Sequence, residues 1–290
     1  MNCRNSYVPK QLFEINFSSI VLLINNLKMK LQLKNIALAM VAAIAITSCS
    51  DDDNNNQISG EGNLKLEFDN VYGDANFAFN TPYTNSNGEI IKAEKAIYIV
   101  SNIVLTKIDG STYTVPKSQS YFFVNEADAA STLLNLPNIP AGNYNKVTFG
   151  IGVDQAQFNA GADGQGTLWE TAGNPALGMT WSWAAGYKFI KFEGTVTSTT
   201  HTDANYRVHT GKTGDVYNYA EVTLDLPENA LVRTNITPQV HIMADLKKIV
   251  DGTTVINFEE ALDVMGGTKV QNISANNVPT MFEVHHVHND

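Results

Sequence analysis

The chain has 290 residues, with 19 Lys plus Arg against 29 Asp plus Glu, a formal net charge of −10 and only two cysteines, Cys3 and Cys49. An acidic balance of this size excludes the counterion-releasing cationic face that nucleic acid or an anionic lipid surface needs, so no nucleic-acid partner is expected. Both cysteines fall ahead of the region that reads as folded. Disulfides, thiolate metal sites and cysteine nucleophiles are thereby excluded from it, and metal chemistry falls to His, Met, carboxylates or a modified aromatic ring.

The first element in chain order is an export signal. Lys30 and Lys34 make a basic start, residues 36–46 an apolar run, and Thr47 and Ser48 a small-residue approach to Cys49. That run is too short for a bilayer core, which needs about 20 apolar residues. Cys49 resembles the lipobox cysteine of bacterial lipoproteins, which implies cleavage before it, a lipid on its sulfur and attachment to a membrane. Residues 50–53, SDDD, resemble the acidic surface-export signal of some Gram-negative bacteria and imply an outer-membrane lipoprotein, facing either the medium or the periplasm. Residues 1–28 precede a complete signal and read as a start assigned too early, 29–48 as the signal peptide, 49–60 as an acidic, Asn-rich tether, and 61–290 as one domain. Removal of residues 1–48 takes away five basic residues and one acidic residue. The remainder carries 14 basic against 28 acidic side chains, a net charge near −14.

Beyond the tether the pattern is that of half-buried strands with period two. Leu64, Leu66 and Phe68 share one face, and Ile97, Ile99, Ile103 and Leu105 mark a second strand. Asp109-Gly110 reads as the hairpin turn between 97–107 and 112–115, because both residues tolerate positive φ. Pro140-Ala141-Gly142 launches a strand carrying Val147, Phe149, Ile151 and Val153, and further strands are expected at 187–197, 220–226 and 236–243. Short helical insertions are expected at 126–130 and 258–265. Many strands without a strand-helix-strand rhythm predict an all-β, antiparallel β-sandwich. Residues 159–178 hold five glycines and read as a long irregular loop, with the three tryptophans, Trp169, Trp181 and Trp183, in or beside it.

No nucleophile elbow, zinc-protease helix, P-loop or dinucleotide fingerprint is present, so the sequence predicts no enzyme. Histidine carries the remaining metal chemistry. All six copies follow residue 200, and three sit at His285, His286 and His288, where His286 and His288 would share one side of an extended segment and could close on one ion. Imidazole suits copper, zinc, nickel and iron, with copper(II) bound most tightly in the general order. A mobile polar tail is the other reading of that segment. His241 and Met243 share a strand face and read either as a copper(I) pair or as a surface histidine beside a gap-filling methionine.

Four stretches resemble, in order, the signature segments of the MbnP-like family of copper-binding envelope proteins. They are YIVSNIVL from Tyr98, LPNIPAGNYNKVTFGIGV from Leu136, W-x-W-x-x-G-Y-K-F-x-x-x-E-G from Trp181 to Gly194, and the H-x-G element His209-Thr210-Gly211. The resemblance implies a β-sandwich that binds copper, in some members through histidines and a tryptophan oxidised to kynurenine by a partner di-haem oxidase. Carried over, Trp181 or Trp183 would be the modifiable ring and His209 the matching histidine. Ala160 follows Phe158-Asn159 where the family commonly has an Asn-His pair, and residues 212–215 lack the cysteines found near H-x-G in several members. The candidate metal ligands are therefore His209, His241, His285, His286 and His288. The expected function is copper acquisition or trafficking by a non-enzymatic, lipid-anchored envelope protein. The competing expectation is a surface module whose Trp-rich loop stacks on a glycan or a partner protein.

Overall fold

The apolar and polar alternation folds as the two faces of paired strands. The computed structural model describes residues 58–160, 167–181 and 186–290, so the signal segment, Cys49, the tether up to residue 57 and Trp183 lie outside the described residues. The strands in chain order are β1 (Glu61–Tyr72), β2 (Ala75–Asn76), β3 (Tyr83–Thr84), β4 (Ile90–Lys107), β5 (Thr112–Thr114), β6 (Tyr121–Asn125), β7 (Leu133–Pro140), β8 (Gly142–Ile151), β9 (Lys188–Thr197), β10 (Ala204–Thr213), β11 (Val216–Tyr217), β12 (Ala220–Val232), β13 (Gln239–Asp245), β14 (Asp263–Val264) and β15 (Phe282–His288). Short helices α1 (Gln155–Asn159), α2 (Leu168–Gly173), α3 (Lys247–Val250) and α4 (Gly267–Asn272) fill the connections.

The smaller sheet has the order β15-β13-β1-β2, with β7 also on β1. The larger runs β11-β10-β9-β4-β8-β12, with β3, β5 and β6 added to β4 and β14 to β10. This is the expected all-β sandwich with short helical insertions, and most pairings are antiparallel. The β1–β13 and β10–β14 pairs are parallel. Leu64, Leu66 and Phe68 of the small sheet enter one core with Val147, Phe149 and Ile151 of the large one. Phe68 sits at its centre and meets Tyr98, Phe149 and Phe282 edge-on at 6.1, 5.5 and 6.1 Å, the arrangement favoured by ring quadrupoles.

The Asp109-Gly110 turn joins β4 to β5, with Thr106 opposite Thr112. The Tyr98-x-x-Ser101-Asn102 segment acquires a physical meaning. The Tyr98 hydroxyl donates to Asn70 Oδ1 at 3.0 Å, Ser101 Oγ donates to the Gly152 carbonyl at 2.6 Å, and Asn102, at φ 53°, reaches Asp154 Oδ2 at 2.9 Å. The Tyr98 bond ties β4 to β1, while the Ser101 and Asn102 bonds sit at a register shift in β4 and tie it to the end of β8 and to the cap of α1.

Three expectations shift. The turn expected at 126–130 is a 3-10 turn at Ala129–Thr132, because Asp128 rather than Glu126 accepts from the Ala130 N–H. The stretch 258–265 is not helical. The Phe258 and Glu259 N–H groups are taken by Glu89 Oε1 at 2.8 and 3.1 Å, Phe258 packs against Tyr206, and β14 follows, so the helix forms only at α4. Part of the loop expected at 159–178 is the helix α2.

The chain end is anchored as a strand. Asn289 Oδ1 accepts from the Leu231 N–H at 2.7 Å, Asn289 Nδ2 donates to the Asn229 carbonyl at 3.0 Å, and the Asp290 carbonyl accepts from the Thr237 N–H at 2.9 Å. The mobile-tail reading of the last histidines gives way to β15.

Candidate metal centre and the tryptophan pocket

On the small sheet, β13 buries Val240, Ile242 and Ala244 and turns Gln239, His241 and Met243 the other way. In the parallel register β1 places Glu67 opposite His241 and Asp69 opposite Met243 on that same outer face. Strand β15 forms the edge beside β13. Its ladder pairs His288 with Gln239, Val287 with Val240 and His286 with His241, then shifts so that Val284 meets Ile242. His285 is the extra residue of a β-bulge, which places two residues of one strand against one of its partner. The bulge resets the alternation, so Val284 and Val287 both face inward and three histidines gather outside.

The four rings converge. His241 lies 5.7 Å from His285 and 4.7 Å from His286, centroid to centroid, and His286 lies 4.9 Å from His285 and 4.4 Å from His288. Candidate ligand atoms of His241, His285 and His286 all fall within 4.8 Å of one another. His285 Nδ1 and His286 Nδ1 are 2.7 Å apart, and His286 Nε2 and His288 Nε2 are 2.8 Å apart. His241 Nε2 stands 3.4 Å from Asp69 Oδ2, while its Nδ1 is enclosed and has no hydrogen-bond partner. A carboxylate on one ring nitrogen and a free lone pair on the other is the arrangement that orients metal-binding imidazoles. Burial, followed by the charges of His241, His288 and His285, lowers the pKa of His286 and keeps the ring neutral and able to donate a lone pair at neutral pH.

His209 is elsewhere. It lies in β10 of the large sheet, 3% exposed, with Nε2 2.7 Å from Glu193 Oε1 and Nδ1 buried without a hydrogen-bond partner. The structure thus brings together four of the five histidines read as ligands and leaves His209 apart from them. Trp181, 7% exposed, meets the His209 ring edge-on at 5.3 Å. Its indole N–H donates to the Tyr187 carbonyl at 3.2 Å, and Lys188 Nζ lies 5.4 Å from the ring centroid. Burial lowers the pKa of His209 despite the hydrogen bond to Glu193. Burial also lowers those of Lys188 and Lys191, whose ammonium groups donate to the Gly178 and Leu177 carbonyls at 2.8 Å.

Comparison with known proteins decides the relationship. A family model described as MbnP matches residues 61–270. The chain belongs to the MbnP family. Among solved structures, MbnP from Methylosinus trichosporium is similar at 14% identity, covering 78% of this chain and 98% of that one, with a TM-score of 0.45. No curated protein matches.

Two of the segments that resemble MbnP, from Trp181 to Gly194 and from His209 to Gly211, meet at the Trp181 pocket. Gly186, at φ 79°, lies beneath the Phe158 ring, where a Cβ would come within 2.3 Å of a ring carbon. At Gly211 a Cβ would stand 2.5 Å from the Tyr187 carbonyl and 3.2 Å from the Trp181 indole nitrogen, so the H-x-G glycine is what admits the tryptophan. Glu193, of the E-G pair, is the residue that sequence reasoning left without a role. The β9–β10 register sets Lys191 opposite His209, which makes Glu193 its diagonal neighbour, a position readable from the hairpin alone. Asp69 was likewise missed, since only the parallel β1–β13 pairing carries it to His241. The β15 histidines fall beyond the span that matches MbnP.

Of the two tryptophans described, Trp181 is enclosed and Trp169 is 44% exposed, its ring edge-on to Tyr187 at 5.3 Å. The exposed platform of stacked rings that would favour the glycan or partner-protein reading is not what Trp181 offers.

Proposed function

We propose that this MbnP-family chain is a non-enzymatic envelope protein that holds copper, for acquisition or trafficking, at the cluster of His241, His285, His286 and His288. The observation that carries the reading is the convergence of four imidazoles on one sheet edge, with one of them oriented by a carboxylate and its free nitrogen enclosed. Nitrogen-only ligand sets suit copper, and copper(II) heads the general affinity order for such sites. Family membership points the same way.

The Trp181 pocket supports the cluster as the holding site. An unmodified indole presents an N–H donor and no lone pair, and the Trp181 N–H is directed at the Tyr187 carbonyl. Copper at His209 would await oxidation of that ring by a di-haem partner, whereas the four-histidine cluster needs no modification. Attachment through a lipid on Cys49, with the acidic tether as spacer at the outer membrane, completes the reading.

The test is retention of copper against a competing chelator by the purified protein. The protein should retain copper, and H241N and H286N should each release it to the chelator. Equal retention by both variants overturns the assignment. Metabolic labelling with a fatty acid, abolished by Cys49→Ala, checks the anchor.

A further inference from the structure

The two edges of the His286 ring are used differently. Its Nδ1 faces His285 Nδ1 at 2.7 Å, and its Nε2 faces His288 Nε2 at 2.8 Å. The lone pairs of the two imidazole nitrogens leave the ring in the ring plane on separate edges, so one ion cannot accept both. An ion shared by His285 and His286 through Nδ1 and an ion shared by His286 and His288 through Nε2 must occupy different positions.

We propose, building on the copper assignment above, that the cluster is a two-ion site in which His286 lies between the ions and ligates both. The first position takes His285 and His286, with His241 in reach to complete a trio of nitrogens. The second takes His286 and His288, with water filling the rest of its coordination sphere. The second position has fewer protein ligands and is the weaker. Glu67, opposite His241 in β1, and Asp69 beside it supply negative charge against two cations on one face. Coordinated through one nitrogen, the His286 ring keeps its single proton on the other. Binding to both nitrogens expels it, so entry of the second ion releases one proton to the buffer and leaves an imidazolate bridge.

The edge position makes this feasible. His285 and His288 are exposed, and as an outermost strand β15 leaves the second position open to solvent and to arriving ions.

The experiment is a calorimetric titration of the purified protein with cupric chloride, repeated in buffers of different protonation enthalpy and paired with electron paramagnetic resonance at each equivalent. The wild type should take two equivalents in two steps, with one proton released in the second. The resonance from the first copper should diminish as the second enters, because an imidazolate bridge couples the two unpaired spins. H288Q should lose the second step alone and keep one equivalent, while H201Q, altered in a remote hairpin, should keep both. One equivalent in the wild type, or two retained by H288Q, overturns the two-ion site and leaves the copper assignment standing. No binding by the wild type overturns both.

Discussion

His241 and His286 face each other across the β13–β15 ladder with ring centroids 4.7 Å apart, and they do so because His285 is bulged out between His286 and Val284. An unbulged strand that kept all seven residues would alternate His286 inward with Val284, whereas deletion of His285 closes the bulge and leaves His286 and His288 outward with Val284 and Val287 inward. The bulge is therefore the device that admits a third β15 ring, and deletion of His285 should remove that one ligand alone. The deletion variant should fold, with β15 in a regular register, and its copper affinity should match that of H285A, in which the bulge persists. Competition against a chelator compares the two, and an affinity of the deletion variant well below that of H285A would show that the remaining rings depend on the bulge itself.

Asp69 acts through His241. Loss of a carboxylate that orients a metal-binding imidazole typically costs about 10-fold to 100-fold in affinity. Asp69→Asn should weaken copper binding toward the low end of that range, since Asp69 is partly exposed and 3.4 Å away. Thermal stability should be nearly unchanged, which distinguishes orientation of a ligand from damage to the fold.

Phe282 joins the site to the core. It opens β15 and packs edge-on against Phe149, Tyr98 and Phe68 at 5.2, 5.9 and 6.1 Å. Phe282→Ala should cost about 3–5 kcal/mol of stability. It should also weaken copper binding, although Phe282 is no ligand, because it loosens the strand that presents three of the four rings. Denaturant unfolding and a copper titration on the same variant check both outcomes.

The Glu193–His209 pair makes the fold sensitive to acid. Burial raises the Glu193 pKa, but the hydrogen bond to His209, the Lys191 charge and the bond to Lys95 outweigh it and bring it from 4.5 down to about 2. A carboxyl with a depressed folded-state pKa contributes stability above its unfolded value that is lost as pH falls, here between about 4.5 and 2, and amounts to about 3 kcal/mol at most. His209, neutral because burial lowers its pKa below 6.5, adds a loss in the same direction that begins as the unfolded state takes up protons near that value. Stability should fall from about pH 6.5 downward. Glu193→Gln should be less stable at neutral pH and should flatten the part of the curve below 4.5. An unchanged slope there would remove Glu193 from the account.

Gly211 holds the tryptophan pocket open. Gly211→Ala brings a methyl group against the Tyr187 carbonyl and the Trp181 indole, and overpacking of this kind costs about 1–3 kcal/mol. Trp181 emission should shift as the ring is displaced, while copper retention at β15 should be unaffected, since that cluster lies in the other sheet.

Much of the sandwich was legible because its strands alternate cleanly. Leu64, Leu66 and Phe68 named the buried face of β1, and Val147, Phe149 and Ile151 that of β8. The helix expected near Phe258 was not there because a buried carboxylate from distant Glu89 claims the backbone N–H groups, a contact that no local pattern carries. In the cluster, the shared side of His286 and His288 followed from period two. Recruitment of His285 did not, although Val284-x-x-Val287 breaks the alternation and is the trace a bulge leaves in the sequence. The approach of His241 and Asp69 to those rings depends on one parallel and one antiparallel pairing between segments far apart in the chain, which spacing alone cannot supply.

X-ray absorption at the copper edge of the singly loaded protein tests the central claim most directly. The account predicts a first shell of nitrogen with the outer-shell scattering of multiple imidazoles, lost when His241, His285, His286 and His288 are all replaced by Asn and unchanged in His209→Ala. Imidazole scattering that survives the fourfold replacement and disappears in His209→Ala would contradict it and place the metal in the tryptophan pocket.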